Sequence, residues 1–104
     1  MAEVVTLAAM RSALGLTADF GDADNALILQ KIAAATAHVE RAAGVLFDVL
    51  EESEAGIPAD LVEAVTMLAA WWYEQREAAL VGVSVAPVPY GFDDLIRPHR
   101  PEWF

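Results

Sequence analysis

Three large aromatic residues stand next to one another in the sequence, at Trp71, Trp72 and Tyr73. They follow Pro58, which suits the first turn of a helix because its missing N–H has no intrahelical partner to lose there. Neighbouring residues on a helix project about 100° apart, so adjacent aromatics in such a run cannot all face one core. At least one of them is expected to point away from the interior of its own chain, where a partner should cover it.

The apolar pattern of this helix predicts which aromatic is buried. Its core stripe at helical spacing consists of Leu61, Ala64 or Val65, Leu68, Trp72, Gln75 and Ala79. Gly82 is a suitable C-terminal stop because glycine readily adopts a left-handed conformation. This register places Trp72 in the core, with Trp71 nearer the boundary.

A short first helix is predicted near the N-terminus. Thr6 is a good N-cap, and Gly15 is a suitable stop. The apolar residues between them recur three and four positions apart, at Leu7, Met10 and Leu14. We expect a helix of about two turns.

A longer second helix is predicted to end at Gly44. Asp22 or Asp24 can accept hydrogen bonds from the free N–H groups at its start. Its core stripe consists of Ile28, Ile32, Ala35, Val39 and Ala42 or Ala43. The apolar residues 45–50 fit either a further helix or a short extended segment, and the sequence leaves both open.

The character of the chain changes after Gly82. Residues 83–91 combine β-branched residues with two prolines, which favours an extended strap. A further helical turn is predicted near Asp93 and ends at Pro98. The whole pattern predicts an all-α fold: a small bundle of three main helices, a short C-terminal helix and an extended C-terminal arm. We place the helical domain at residues 1–86 and the strap, short helix and arm at residues 87–104.

The composition restricts the possible functions. The chain has 104 residues, which fits one small domain, and a formal net charge of −10, which opposes binding to nucleic-acid phosphates. It contains no cysteine, so disulfides and thiolate chemistry are excluded. No apolar run approaches the roughly 20 residues of a membrane span, and the N-terminus lacks a secretory signal. We expect a soluble protein that remains where it is made.

No pattern of a catalytic or metal site is present in the sequence. His38 and His99 lie far apart, and neither belongs to a motif that would present two metal ligands on one helical face. No serine lies in a nucleophile elbow, and the glycines are isolated. The sequence therefore predicts neither an enzyme nor a bound cofactor or metal.

The sharpest local charge bias lies between Asp48 and Glu63, where six acidic residues occur without a basic one. A solvated loop and helix start is the simplest interpretation, because acidic residues near a helix N-terminus are favourable.

Four segments of the chain together resemble the small head-tail connector (adaptor) proteins of tailed bacteriophages and prophages. The most specific are Trp72-Tyr73-Glu74-x-Arg76-Glu77 and Val88-Pro89-Tyr90-Gly91-Phe92-x-x-Leu95-Ile96-x-Pro98-x-Arg100. The other two begin at Asp24 and at Ile57 and contain the stripes of the second and third helices. The resemblance spans most of the chain.

The resemblance implies a structural virion protein that forms a ring of roughly a dozen copies by heterologous contacts. Such a ring lies beneath the portal, joins the head to the stopper and tail, and lets DNA pass. It is present in the host cytoplasm before assembly and in the virion afterwards.

The resemblance also suggests roles for particular residues. The candidates for the subunit interface are Trp71, Tyr73 and Arg76. The candidates for an arm that docks on the portal or an adjacent subunit are Arg97, His99, Arg100, Trp103 and Phe104. The candidates for lining the DNA channel are Glu51, Glu52 and Glu54. The alternative function is an acidic helical regulatory or interaction module of a prophage that binds a basic partner.

Overall fold

The computed structural model of the protein describes residues 4–16, 21–54, 56–80, 89 and 91–99, with side chains to residue 75 in the helix that ends at residue 80. These residues form α1 (Leu7–Ala13), α2 (Asn25–Ala43), α3 (Phe47–Glu52), α4 (Ala59–Leu80), α5 (Phe92–Ile96) and a 3-10 turn at Arg97–His99. No strand occurs among them. The predicted all-α bundle with a short C-terminal helix is confirmed. The strap, the Gly82 stop and the arm beyond His99 lie outside the described residues.

The long helices α2 and α4 form the centre of the bundle, because each presents an apolar stripe to the other. The predicted stripe of α2 is confirmed, with Ile28, Ile32, Ala35, Val39 and Ala43 all buried. The buried positions in the first half of α4 are Leu61, Ala64, Val65, Leu68 and Ala69. The alanines in both stripes have little volume, so the two helices can approach closely.

The short helix α1 lies against both long helices. The Thr6 hydroxyl caps it as predicted by accepting a hydrogen bond from the Ala9 N–H at 3.0 Å. Met10 is its fully buried side chain. The Arg11 guanidinium donates to the Asn25 side-chain oxygen at 2.8 Å, which ties the end of α1 to the start of α2.

Residues 45–50, which the sequence left open, contain most of α3. Gly44 ends α2 in the left-handed conformation, as predicted, with φ at 73°. Glu40 then accepts a hydrogen bond from the Phe47 N–H at 2.9 Å, which satisfies one free donor at the start of α3. The Phe47 side chain is fully buried and anchors this helix in the core.

The C-terminal helix α5 packs on α4. Gly91 adopts a positive φ of 90° where the chain turns into the helix, a conformation that glycine adopts without a Cβ penalty. Phe92 and Ile96 are both buried in the same core as the long helices. The proposed division of the chain at residue 86 falls outside the described residues and stays a prediction.

Candidate interaction surfaces

The aromatic run of α4 is arranged differently from the sequence-based expectation. Tyr73 is only 8% exposed, and its hydroxyl donates to Asp24 Oδ2 at 2.5 Å. Trp72, predicted to lie in the core, is only half-buried and packs against the core from its edge, and Trp71 is half-buried as well. Tyr73, which the resemblance assigns to contacts outside its own subunit, is buried because the core stripe continues from Ala69 to position 73, four residues on, as well as from Leu68 to Trp72. Its role in a subunit interface stays a prediction.

Asp24 explains how a tyrosine can be buried at this position. A buried tyrosine hydroxyl needs a hydrogen-bond partner, and the Asp24 carboxylate supplies an acceptor. Asp24 occupies the N-cap position of α2 but makes no side-chain cap bond. The Asp24 side chain therefore does not cap α2 as predicted. It instead accepts the hydrogen bond from Tyr73, which links the start of α2 to the middle of α4.

A second aromatic cluster joins three helices. The His38 ring of α2 lies edge-on to Trp72 of α4, with centroids 5.8 Å apart, and 5.7 Å from the Phe92 ring of α5. Burial, reinforced by the nearby charge of Arg41, lowers the pKa of His38. No local pattern in the sequence indicates this cluster, because the ring partners of His38 lie on other helices.

His99, a predicted arm residue, contacts its own subunit. Its Nε2 lies 2.8 Å from both carboxylate oxygens of Asp60, near the start of α4. An ionised carboxylate only accepts hydrogen bonds, so Nε2 is the proton-bearing nitrogen. The hydrogen bond from His99 lowers the pKa of the Asp60 carboxyl. This contact therefore holds His99 against the start of α4.

Arg97, another predicted arm residue, lies on the surface. Arg97 is exposed and lies 3.8 Å from the equally exposed Asp94, a pairing that contributes little in water. Arg100, Trp103, Phe104 and the side chain of Arg76 lie outside the described residues.

The three glutamates predicted for the channel are all exposed. Glu51 and Glu52 lie in the last turn of α3, and Glu54 lies in the turn that follows. Exposure meets the first requirement of a channel wall, and the channel assignment stays a prediction.

An apolar surface lies beside these glutamates. We call it the α2–α3 corner and define it by Gly44, Val45, Leu46, Val49 and Leu50. Leu46 and Val49 each expose 62% of their surface. Two open grooves of about 370 Å³ share its first three residues. The sequence marked residues 45–50 as apolar but could not show which of them the core leaves exposed.

Within the described ranges, no group of three His, Asp or Glu side chains could hold a metal ion. None of the helices described there combines the length and apolar character of a membrane span.

Comparison with protein families places residues 4–100 within the family described as phage gp6-like head-tail connector protein. That match covers nearly the whole chain, including all the helices described above. Searches of curated proteins and of solved structures found no match.

Proposed function

This chain belongs to the phage gp6-like head-tail connector family, and we propose that it forms an oligomeric ring that connects the capsid portal to the stopper and tail and lets DNA pass. The observation that carries the proposal is the family match over residues 4–100. Membership implies a structural phage protein that acts in the virion by contacts with head and tail components. The family is not known to be enzymatic.

The ring needs surfaces that a lone subunit leaves incompletely covered. Trp71 and Arg76 are our candidates for the contact between neighbours, because aromatic residues and arginine are enriched in the energetic centres of interfaces. Trp71 supports this role by being only half-buried within the subunit. Tyr73 contributes indirectly, since its bond to Asp24 holds α4 in register with α2.

The acidic turn after α3 is our candidate for the channel wall. A ring through which DNA passes must not retain it, and carboxylates repel phosphates. The exposure of Glu51, Glu52 and Glu54 and the absence of any Lys or Arg between residues 48 and 63 support this role.

The C-terminal segment is our candidate for the arm that engages the portal or an adjacent subunit. It combines Arg100 with Trp103 and Phe104, a pairing of charge and apolar anchors that suits a docking peptide. His99 supports the role because its bond to Asp60 holds the start of the arm on the bundle.

Negative-stain imaging and size measurement of the purified protein, alone and with purified portal, test the proposal. We expect discrete rings, or binding to the portal that closes a ring. A persistent monomer that ignores the portal would contradict the connector role and favour the acidic regulatory module.

Matched substitutions sharpen this experiment. Trp71→Ala in α4 is expected to reduce ring formation. Leu29→Ala, which truncates an exposed apolar side chain of α2, should leave ring formation unchanged. Equal effects of the two variants would argue against the interface assignment.

A further inference from the structure

Helix α3 buries less of itself in the bundle than the other described helices do. Phe47 is its one buried side chain, Leu50 is half-buried, and its other four residues are exposed. The principal packing pairs join α2 with α4, α4 with α5 and α1 with both long helices, and they do not include α3. Regions with few buried apolar contacts open at a lower free energy than the core of the same protein. We call residues 45–54, which contain this helix, the α3 segment.

Two glycines in the left-handed conformation lie at the ends of the α3 segment. Gly44 has a φ of 73° before it, and Gly56 has a φ of 69° after it. Inside the segment, the Leu46 carbonyl accepts from the Leu50 N–H, and the Leu50 carbonyl accepts from the N–H and the hydroxyl of Ser53. Glycine changes its backbone angles at a lower cost than other residues, so both ends of the segment can act as hinges.

Glu40, in the last turn of α2, holds the α3 segment by hydrogen bonds from its backbone and its side chain. Its backbone carbonyl accepts from the Gly44 N–H at 2.9 Å and from the Val45 N–H at 3.1 Å. Its carboxylate accepts from the N–H of Phe47, the first residue of α3, at 2.9 Å. Leu46, at the N-cap position, supplies no side-chain bond of its own. The Glu40 carboxylate therefore caps α3 from the preceding helix, and hydrogen bonds to an ionised acceptor are stronger than neutral ones.

We propose that the α3 segment opens as a separate unit while α2 and α4 remain packed, and that the Glu40 carboxylate is the latch that holds it closed. The inference concerns motion within one subunit and goes beyond the proposed function. The segment carries the exposed apolar side chains of Leu46 and Val49 and the exposed carboxylates of Glu51 and Glu52. Its opening moves the apolar surface and these candidate channel residues together without disturbing the core.

Native-state hydrogen exchange of the full chain, followed for single amides by nuclear magnetic resonance, tests the proposal. The reporters are the Leu50 and Ser53 amides in the segment and the Leu68 amide in the middle of α4. We expect the two segment amides to be protected but to exchange at least about 100-fold faster than Leu68, because the segment opens without global unfolding. Low urea should accelerate Leu68 strongly and the segment amides weakly, since the local opening exposes less surface.

A substitution far from the segment tests whether the opening is separate. Ile28→Val removes one buried methylene near the start of α2, at the opposite end of that helix from Gly44. It should accelerate Leu68 by about fivefold, because it destabilises the packed bundle. The Leu50 and Ser53 amides should keep their rates, since the bundle is packed both before and after the segment opens.

Substitutions of Glu40 test the latch. Glu40→Ala should accelerate Leu50 and Ser53 by about tenfold, because the closed state alone contains the bond to the Phe47 N–H. Leu68 should accelerate by the same factor, since the globally unfolded state also lacks this bond. Glu40→Gln, the matched control, removes the charge but keeps an oxygen acceptor, and it should stay within about threefold of the unmodified protein.

Each of four results would overturn the inference. Segment amides as slow as Leu68, or accelerated equally by Ile28→Val, would show that the segment opens only when the whole bundle unfolds. Segment amides that exchange at the rate of an unstructured chain would show that no closed state is held. Unchanged segment amides in Glu40→Ala would show that the carboxylate is not a latch. Equal acceleration by Glu40→Ala and Glu40→Gln would show that the Glu40 charge, and not its hydrogen bond, holds the segment.

Discussion

The aromatic run of α4 and the α2–α3 corner both carry large apolar side chains, but the fold covers one and exposes the other. Tyr73 keeps 8% of its surface exposed, whereas Leu46 and Val49 each keep 62%. The difference lies in the partners available within the subunit. Asp24 accepts from the Tyr73 hydroxyl, and the His38 ring packs against both Trp72 and Phe92. Aromatic content alone therefore does not locate an interaction surface, because local partners decide what is buried.

The largest expected effect comes from truncating the covered region. Tyr73→Ala should lower the free energy of unfolding by about 3 to 5 kcal/mol, since it removes a buried aromatic ring. Val49→Ala, its counterpart on the corner, should change stability by no more than about 0.5 kcal/mol. Urea unfolding followed by circular dichroism measures both. Similar losses for the two variants would remove the contrast between the regions.

A smaller effect isolates the hydroxyl. Tyr73→Phe keeps the ring and should cost about 1 to 2 kcal/mol, because the Asp24 carboxylate loses a charge-assisted donor. A double-mutant cycle with Asp24→Asn measures the pair directly. Additive losses would show that the two side chains act independently and that ring packing alone holds Tyr73.

The closure of α5 over the aromatic cluster depends on the turn before it. Gly91→Ala should cost about 1 to 2 kcal/mol, since alanine is strained at a φ of 90° although space is open around the position. The tryptophan fluorescence maximum should shift as α5 loosens, because the surroundings of Trp72 change. Ala59→Gly, at the exposed start of α4, provides a comparison in which no positive φ is involved. An unchanged melting temperature for Gly91→Ala would show that α5 is held by Phe92 and Ile96 alone.

His38 should make the covered region sensitive to acid. Its pKa is lowered in the folded protein, so the unfolded chain binds a proton first as the pH falls below about 6.5. The free energy of unfolding should therefore decrease from that pH down to the lowered folded pKa. His38→Gln should flatten the slope in this window. If His38→Gln leaves the pH dependence of the free energy of unfolding unchanged, a group other than His38 titrates in this window.

The smallest expected effect belongs to the contact between His99 and Asp60. The pKa of Asp60 is lowered in the folded state, so its contribution to stability is present above about pH 4 and is lost as the pH falls through the folded pKa. Partial exposure of both side chains screens the interaction. Asp60→Asn should reduce the acid dependence below pH of about 4, while Glu63→Gln, one turn further on, should not. Equal changes in the acid dependence of the two variants would show that the effect arises from general surface charge.

Much of the fold was predictable because its signals are local. Thr6 caps α1, Gly44 stops α2, and the stripe from Ile28 to Ala43 faces the core, all from spacing and glycine conformation within single segments. The candidate surfaces were less predictable. The contact between His99 and Asp60 joins residues 39 positions apart, and that between Tyr73 and Asp24 joins residues 49 apart. No pattern within one helix could indicate either contact.

The sequence by itself determined the class of the fold, the glycine stops at Gly15 and Gly44, and membership of the connector family. Periodicity, capping chemistry and family motifs are all features that can be recognised within a segment of the sequence. Only the tertiary structure decided that Tyr73 turns inward, that residues 47–52 form a helix, and that Leu46 and Val49 remain exposed. The physical reason is that burial depends on what each helix packs against. A period of 3.6 residues identifies a helix face, while the neighbouring helices determine where that face ends.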